Sequence, residues 1–118
     1  MEAVCPIEFT LKVIGGRWKA MILRELADHG ARRYSELKRG VDGITDKVLA
    51  DHLHELEADG IVARAAFAEV PPRVEYRLTE RGLTLKPVLA LLREWGEVNS
   101  ATTGPAAADP CAGATRRL

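Results

Sequence analysis

Six residues, Thr45, Asp46, Lys47, Ala50, Asp51 and His54, carry the most legible chemistry in this chain. They recur at helical spacing opposite Leu49, Leu53 and Leu56, so a helix packed by its leucines turns them outward. Such a set can address base edges: a lysine reaches guanine O6/N7 or phosphate, and an aspartate accepts from a cytosine amino group. The alternative is an ordinary amphipathic helix with a solvated polar face, and helical spacing alone favours it. A second group lies just upstream. Between Arg17 and Arg39 stand seven basic residues against three acids, a local excess of four positive charges. Arg32, Arg33, Ser35, Lys38 and Arg39 of that stretch are suited to phosphate contacts. Arg73 follows Val70-Pro71-Pro72, whose stiffness lowers the entropy lost when the guanidinium is held against a backbone or minor groove. Its alternative is a surface arginine paired with Glu69 or Glu75.

Catalytic readings are weak. His52 and His54 are two apart and point to different helix faces, so they are no metal pair. Ser35 has no histidine base near it in sequence and suits a helix cap. Glu55 and Glu57 belong to a solvated face, and Gly15-Gly16 and Gly40-x-x-Gly43 lack a phosphate-loop pattern. Cys5 and Cys111 form neither a disulfide framework nor a zinc site alone. The expectation is a non-enzyme without metal or cofactor.

Bulk composition agrees. The chain has 118 residues, with 17 Lys and Arg against 17 Asp and Glu, for zero net charge. A strongly basic nucleic-acid binder is excluded, but a local basic face is not. No apolar run approaches the ~18 residues of a membrane span. The start, MEAVCPIEFT, has neither a basic lead nor an apolar signal stretch, which gives the expectation of a cytoplasmic protein.

The elements that must position these residues follow from periodicity and breakers. Pro6 suits the first turn of a helix carrying Ile7, Leu11 and Ile14, which Gly15 and Gly16 end. A second helix runs from about Trp18 to Ala27, closed by Gly30. Ser35 caps a short third helix over 36–39, and Thr45 caps a fourth ending at Gly60. Strands are expected over 61–69 and 73–78, joined by the double proline. Thr79 caps a last helix, with a break near Gly82 and Pro87, carrying Leu85, Val88, Leu89, Leu92 and Trp95 on one face. Three helices followed by a stiff-tipped hairpin describe a winged helix-turn-helix: an α+β, mainly helical fold with a β-hairpin wing and terminal helices for dimerisation. Residues 1–100 would form the DNA-binding and dimerisation domain, and residues 101–118, rich in Ala, Gly and Pro, a disordered tail.

Four strings carry a family resemblance: CPIEFTLKVIGGRWKAMIL, YSELKRGVDGIT, LHELEADGIV and EVPPRVEYRLTERG. Over about three-quarters of its length the chain resembles the HxlR-type regulators, relatives of the MarR-like winged-helix proteins. Ala20 departs from the family's W-K-P string, and Asp46 and Asp51 place acid where uncharged polar groups are more usual. The resemblance implies a homodimeric DNA-binding repressor or activator on a pseudo-palindromic duplex. Its dimer would be built by the first and last helices, through Ile7, Leu11, Ile14, Leu85, Leu89, Leu92 and Trp95. It also implies an oxidant or small-molecule effector, with Cys5 as the redox candidate, at a helix start where the dipole favours an anion and Glu8 opposes it. The alternative for Cys5 is an unreactive thiol packed at the dimer end. The alternative for the whole protein is a winged-helix module that binds protein, favoured by the acidic reading face and zero net charge.

Overall fold

Pro6 lacks the N–H that a first helical turn leaves unpaired, and α1 (Pro6–Ile14) begins there with Cys5 at its cap. The computed structural model describes residues 5–100; Cys111 and the tail expected from residue 101 lie outside them. Helix α2 (Gly16–His29) is longer than expected at both ends, and Gly30, at φ 80°, closes it by donating its N–H to the Leu26 carbonyl at 2.9 Å. The remaining elements are β1 (Arg32–Arg33), α3 (Tyr34–Gly40), α4 (Asp46–Ala58), β2 (Val62–Phe67), β3 (Arg73–Leu78), α5 (Glu80–Leu83) and α6 (Lys86–Ser100). The expected break in the last helix falls between α5 and α6.

The three strands form an antiparallel sheet in the order β1-β3-β2. Strand β1 is the element the sequence did not disclose. It also corrects the cap of α3. Arg32 and Arg33 are extended because they pair with Tyr76 and Glu75, so the helix starts directly after them. Arg33 is therefore the cap residue, and Ser35 lies exposed inside the helix. Glu36 completes the start by accepting the Arg33 backbone N–H at 2.8 Å. Thr45 caps α4 as expected, its Oγ1 accepting from the Val48 N–H at 3.2 Å.

Contacts divide the chain into Met1–Thr84 and Leu85–Leu118. The first unit holds the core. Ile22, Leu23 and Leu26 of α2 are buried, as are Leu37 of α3, Leu49, Leu53 and Leu56 of α4, and Val62 and Leu78 of the hairpin. Ile14, expected on a free face, is only 6% exposed and belongs to this core. In the second unit α6 has no buried residue, and Leu91, Leu92, Trp95 and Val98 are exposed.

Two buried charges tie the first unit together. Lys19 on α2 meets Glu55 on α4 at 2.7 Å, and this bond holds the Glu55 carboxyl below its ordinary range. Glu25, its side chain 5% exposed, gathers Arg32 at 3.3 Å, His29 at 3.4 Å and Arg24 at 3.7 Å. Gly40 lies directly beneath that carboxylate, and a Cβ there would fall inside it. Glu25→Ala removes the shared anion and leaves two partly buried guanidiniums with only their more exposed partners, Asp28 for Arg24 and Glu36 for Arg32. It should lower the unfolding free energy by about 3 kcal/mol, the low end for a removed buried charge. Asp28→Ala, which removes an exposed partner of Arg24, should cost less than about 1 kcal/mol. Urea denaturation of both proteins separates the two effects, and equal losses would contradict the role of burial.

Candidate nucleic-acid interface

Helix α4 turns its leucines into the core, and the same rotation sets Asp46, Lys47, Ala50, Asp51 and His54 out to solvent, with Thr45 exposed at its cap. The turn from Val41 to Thr45 passes through Gly43 at φ 87°, against which the Trp18 ring lies. Tyr34 fixes the approach of α3 by donating its hydroxyl to the Asp46 carbonyl at 3.0 Å. Burial, then Asp46, raises the Tyr34 phenol above its ordinary value, which keeps it a donor.

The acids on this face are not isolated. Lys47 Nζ is 2.9 Å from Asp51 Oδ2, and Lys38 Nζ is 3.6 Å from Asp46 Oδ1. Exposed pairs of this kind are weak enough to open when a stronger partner arrives. The guanidiniums of Arg33, at the cap of α3, and Arg39, within it, form no salt bridge among the described residues, and both residues are exposed. Arg32 is different: it is spent on Glu25 and Glu36 and faces inward, so it leaves the set of phosphate candidates.

The hairpin register decides what the wing presents. Val62 pairs with Leu78, Arg64 with Tyr76 and Ala66 with Val74 on one face. Ala63 pairs with Arg77, Ala65 with Glu75 and Phe67 with Arg73 on the other. Val62 and Leu78 are buried, so the first face is the one turned towards α4. Between them lies an open groove of about 640 Å³, lined by Tyr34, Ala50, Leu53, His54, Glu57, Val62, Arg64 and Tyr76.

Arg73 sits on the opposite face. It donates to Glu69 at 3.2 and 2.7 Å and also to Glu75, and its guanidinium stacks 3.9 Å from the Phe67 ring centre. These bonds raise the Arg73 guanidinium above, and lower the Glu69 carboxyl below, their ordinary values. The reading of Arg73 as a paired surface arginine is thus the one the geometry favours, with both acids engaged. The Val70–Pro71 peptide at the tip is cis. Sequence reasoning missed Arg64 and Tyr34. The parity of β2, set by buried Val62, places Arg64 on the inner face.

Towards the chain ends, Cys5 is exposed and free. Ile7, 71% exposed, and Leu11 are open, and so is Phe9, which the helical pattern did not single out. On α6, Leu92 and Trp95 are open as expected, Leu89 is half-buried, as is Leu85 just before the helix, and Leu91 and Val98 join the open stripe.

A two-helix reader with a three-stranded wing defines a winged helix-turn-helix protein. Residues 13–103 match the model of the HxlR-like helix-turn-helix family, and the chain belongs to that family. YybR of Bacillus subtilis (strain 168), described as an HTH-type transcriptional regulator, is 50% identical over 80% of this chain and 75% of its own. The redox regulator HypR in its reduced form is 48% identical, with TM-score 0.78, covering 83% of this chain and 96% of that one. Its oxidised form gives 50% identity and TM-score 0.75 over 80% of this chain and 97% of that one. Diamide-treated YodB from B. subtilis is 32% identical, with TM-score 0.67, over 83% and 97%.

Arg73→Ala should loosen the wing without unfolding the core, because every partner of Arg73 lies in the hairpin. Amide hydrogen exchange should speed up over residues 67–73 and stay unchanged in α2 and α4. Uniform acceleration would refute a role confined to the wing.

Proposed function

We propose that this protein is a cytoplasmic transcriptional regulator acting as a homodimer on a pseudo-palindromic DNA site, with residues 1–100 as the working domain. The observation that carries this reading is α4: its leucines are buried while Thr45, Lys47, Ala50, Asp51 and His54 stand open on one face. These residues and Asp46 address the major groove; Arg33, Ser35, Lys38 and Arg39 on the preceding segment hold phosphates. The exposed apolar faces of α1 and α6 are the surfaces a second copy covers. The two reading helices then meet half-sites roughly 34–36 Å apart. No catalytic step belongs to this reading.

Fluorescence anisotropy with duplex DNA from upstream of the gene, against a scrambled duplex at two salt concentrations, tests the proposal. The expected result is specific binding that weakens by about 0.9 log unit per log salt for each phosphate neutralised. Lys47→Ala should weaken the specific complex. Salt-insensitive behaviour, or no preference, would overturn the DNA reading and favour a protein partner.

The same reading includes an oxidant-sensing role for Cys5, supported by its exposure at the start of α1 and by the likeness to HypR and YodB. Diamide should change the DNA affinity of the wild-type chain and leave Cys5→Ser unaffected. An equal response in the serine variant would remove Cys5 from the switch.

A further inference from the structure

We propose that Arg64, not Arg73, is the wing cation that meets the DNA backbone, and that the groove between α4 and the hairpin seats a phosphodiester. This rests on the DNA-binding reading above and assigns a new contact within it.

The first argument is strand parity. Arg64 shares its face with buried Val62 and lines the groove opposite Ala50 and His54, which belong to the exposed face of α4. A backbone lying along α4 would therefore pass within reach of its guanidinium. Arg73 lies on the far face of the same hairpin, in register with Phe67.

The second argument is occupancy. Arg73 is engaged by two carboxylates and an aromatic ring, and drawing it onto a phosphate breaks three charge-assisted hydrogen bonds. Arg64 is exposed and, among the described residues, has no acid within 4 Å, so its fork is open to two phosphate oxygens at little cost.

The third argument is the sign of the rim. Glu57 is the one acid lining the groove, on the next turn of α4 beyond His54. It opposes an anion there, so the attraction of the groove for phosphate is set by Arg64 against Glu57. The pair gives the inference two variants with opposite outcomes.

The test uses the full chain and a 30-base-pair duplex of random sequence, with affinity read by anisotropy across a salt series. Arg64→Gln should lower affinity roughly fivefold to tenfold near 0.1 M salt and reduce the salt slope by about 0.9, the signature of one lost phosphate contact. Glu57→Gln should raise affinity. Arg73→Gln should leave the slope unchanged. Thermal melting of each variant confirms that it is folded. A wild-type slope in Arg64→Gln, or a lost contact in Arg73→Gln instead, overturns the assignment while leaving DNA binding intact. Failure of the wild-type chain to bind any duplex overturns both the assignment and the reading beneath it.

Discussion

The carboxylate of Glu25 is the constraint on which the reading apparatus depends. A buried anion must be matched by cations held in place, and here the match comes from two segments of chain. Arg24 comes from its own helix, which also places the His29 ring against the carboxylate, but Arg32 comes from β1. Through Arg32 the charge fixes where β1 lies against α2. Strand β1 in turn pairs with β3, and α3 starts at the next residue. One buried ion cluster therefore relates the scaffold helix, the wing and the first helix of the reader. Gly40 shows how tightly this is drawn, since the end of α3 approaches the carboxylate so closely that no side chain fits between them. On the other side, Lys19 and Glu55 bind α2 to the reading helix itself.

The arrangement explains how a chain of zero net charge can present a basic surface. Two acids on the exposed side of α4 are answered locally, Asp51 by Lys47 and Asp46 by Lys38. Pairing removes much of their repulsion at the distance of a phosphate, while Arg33 and Arg39 remain open beside α3. Net charge is then a poor guide, because what a DNA backbone meets is the local balance within a Debye length.

Much of this was legible in the sequence because the signals are local. The Leu49, Leu53 and Leu56 stripe, the Thr45 cap and the alternation from Arg73 to Leu78 each need only a few neighbouring residues, and the structure has all three. What was hidden depends on partners distant in sequence. Two residues, Arg32 and Arg33, have no period to read and become a strand only by pairing with β3, and that pairing moved the helix cap from Ser35 to Arg33. Ile14 fitted an apolar stripe with Ile7 and Leu11, but burial depends on what lies against each turn, and only the last turn of α1 is covered. The alternation put Arg73 on the side away from Val74, Tyr76 and Leu78, but its cross-strand neighbour, Phe67, depended on register, which the double proline does not reveal on its own.

The uncovered residues show a separation of tasks. The polar side chains proposed to read DNA lie on α4 and along the groove beside it, whereas the large open apolar side chains gather mainly on α1 and α6. A 15-residue helix with no buried residue, and with Trp95 70% exposed, has little reason to persist in water unless another surface covers it. An isologous contact answers this requirement, because a two-fold axis covers the same patch on both copies and creates no further open edge. Cys5 precedes Ile7 by two residues, so the exposed thiol borders the apolar face of α1. In the proposed homodimer, a change in that sulfur would alter the edge of the surface the second copy covers, and through it the spacing of the two α4 helices.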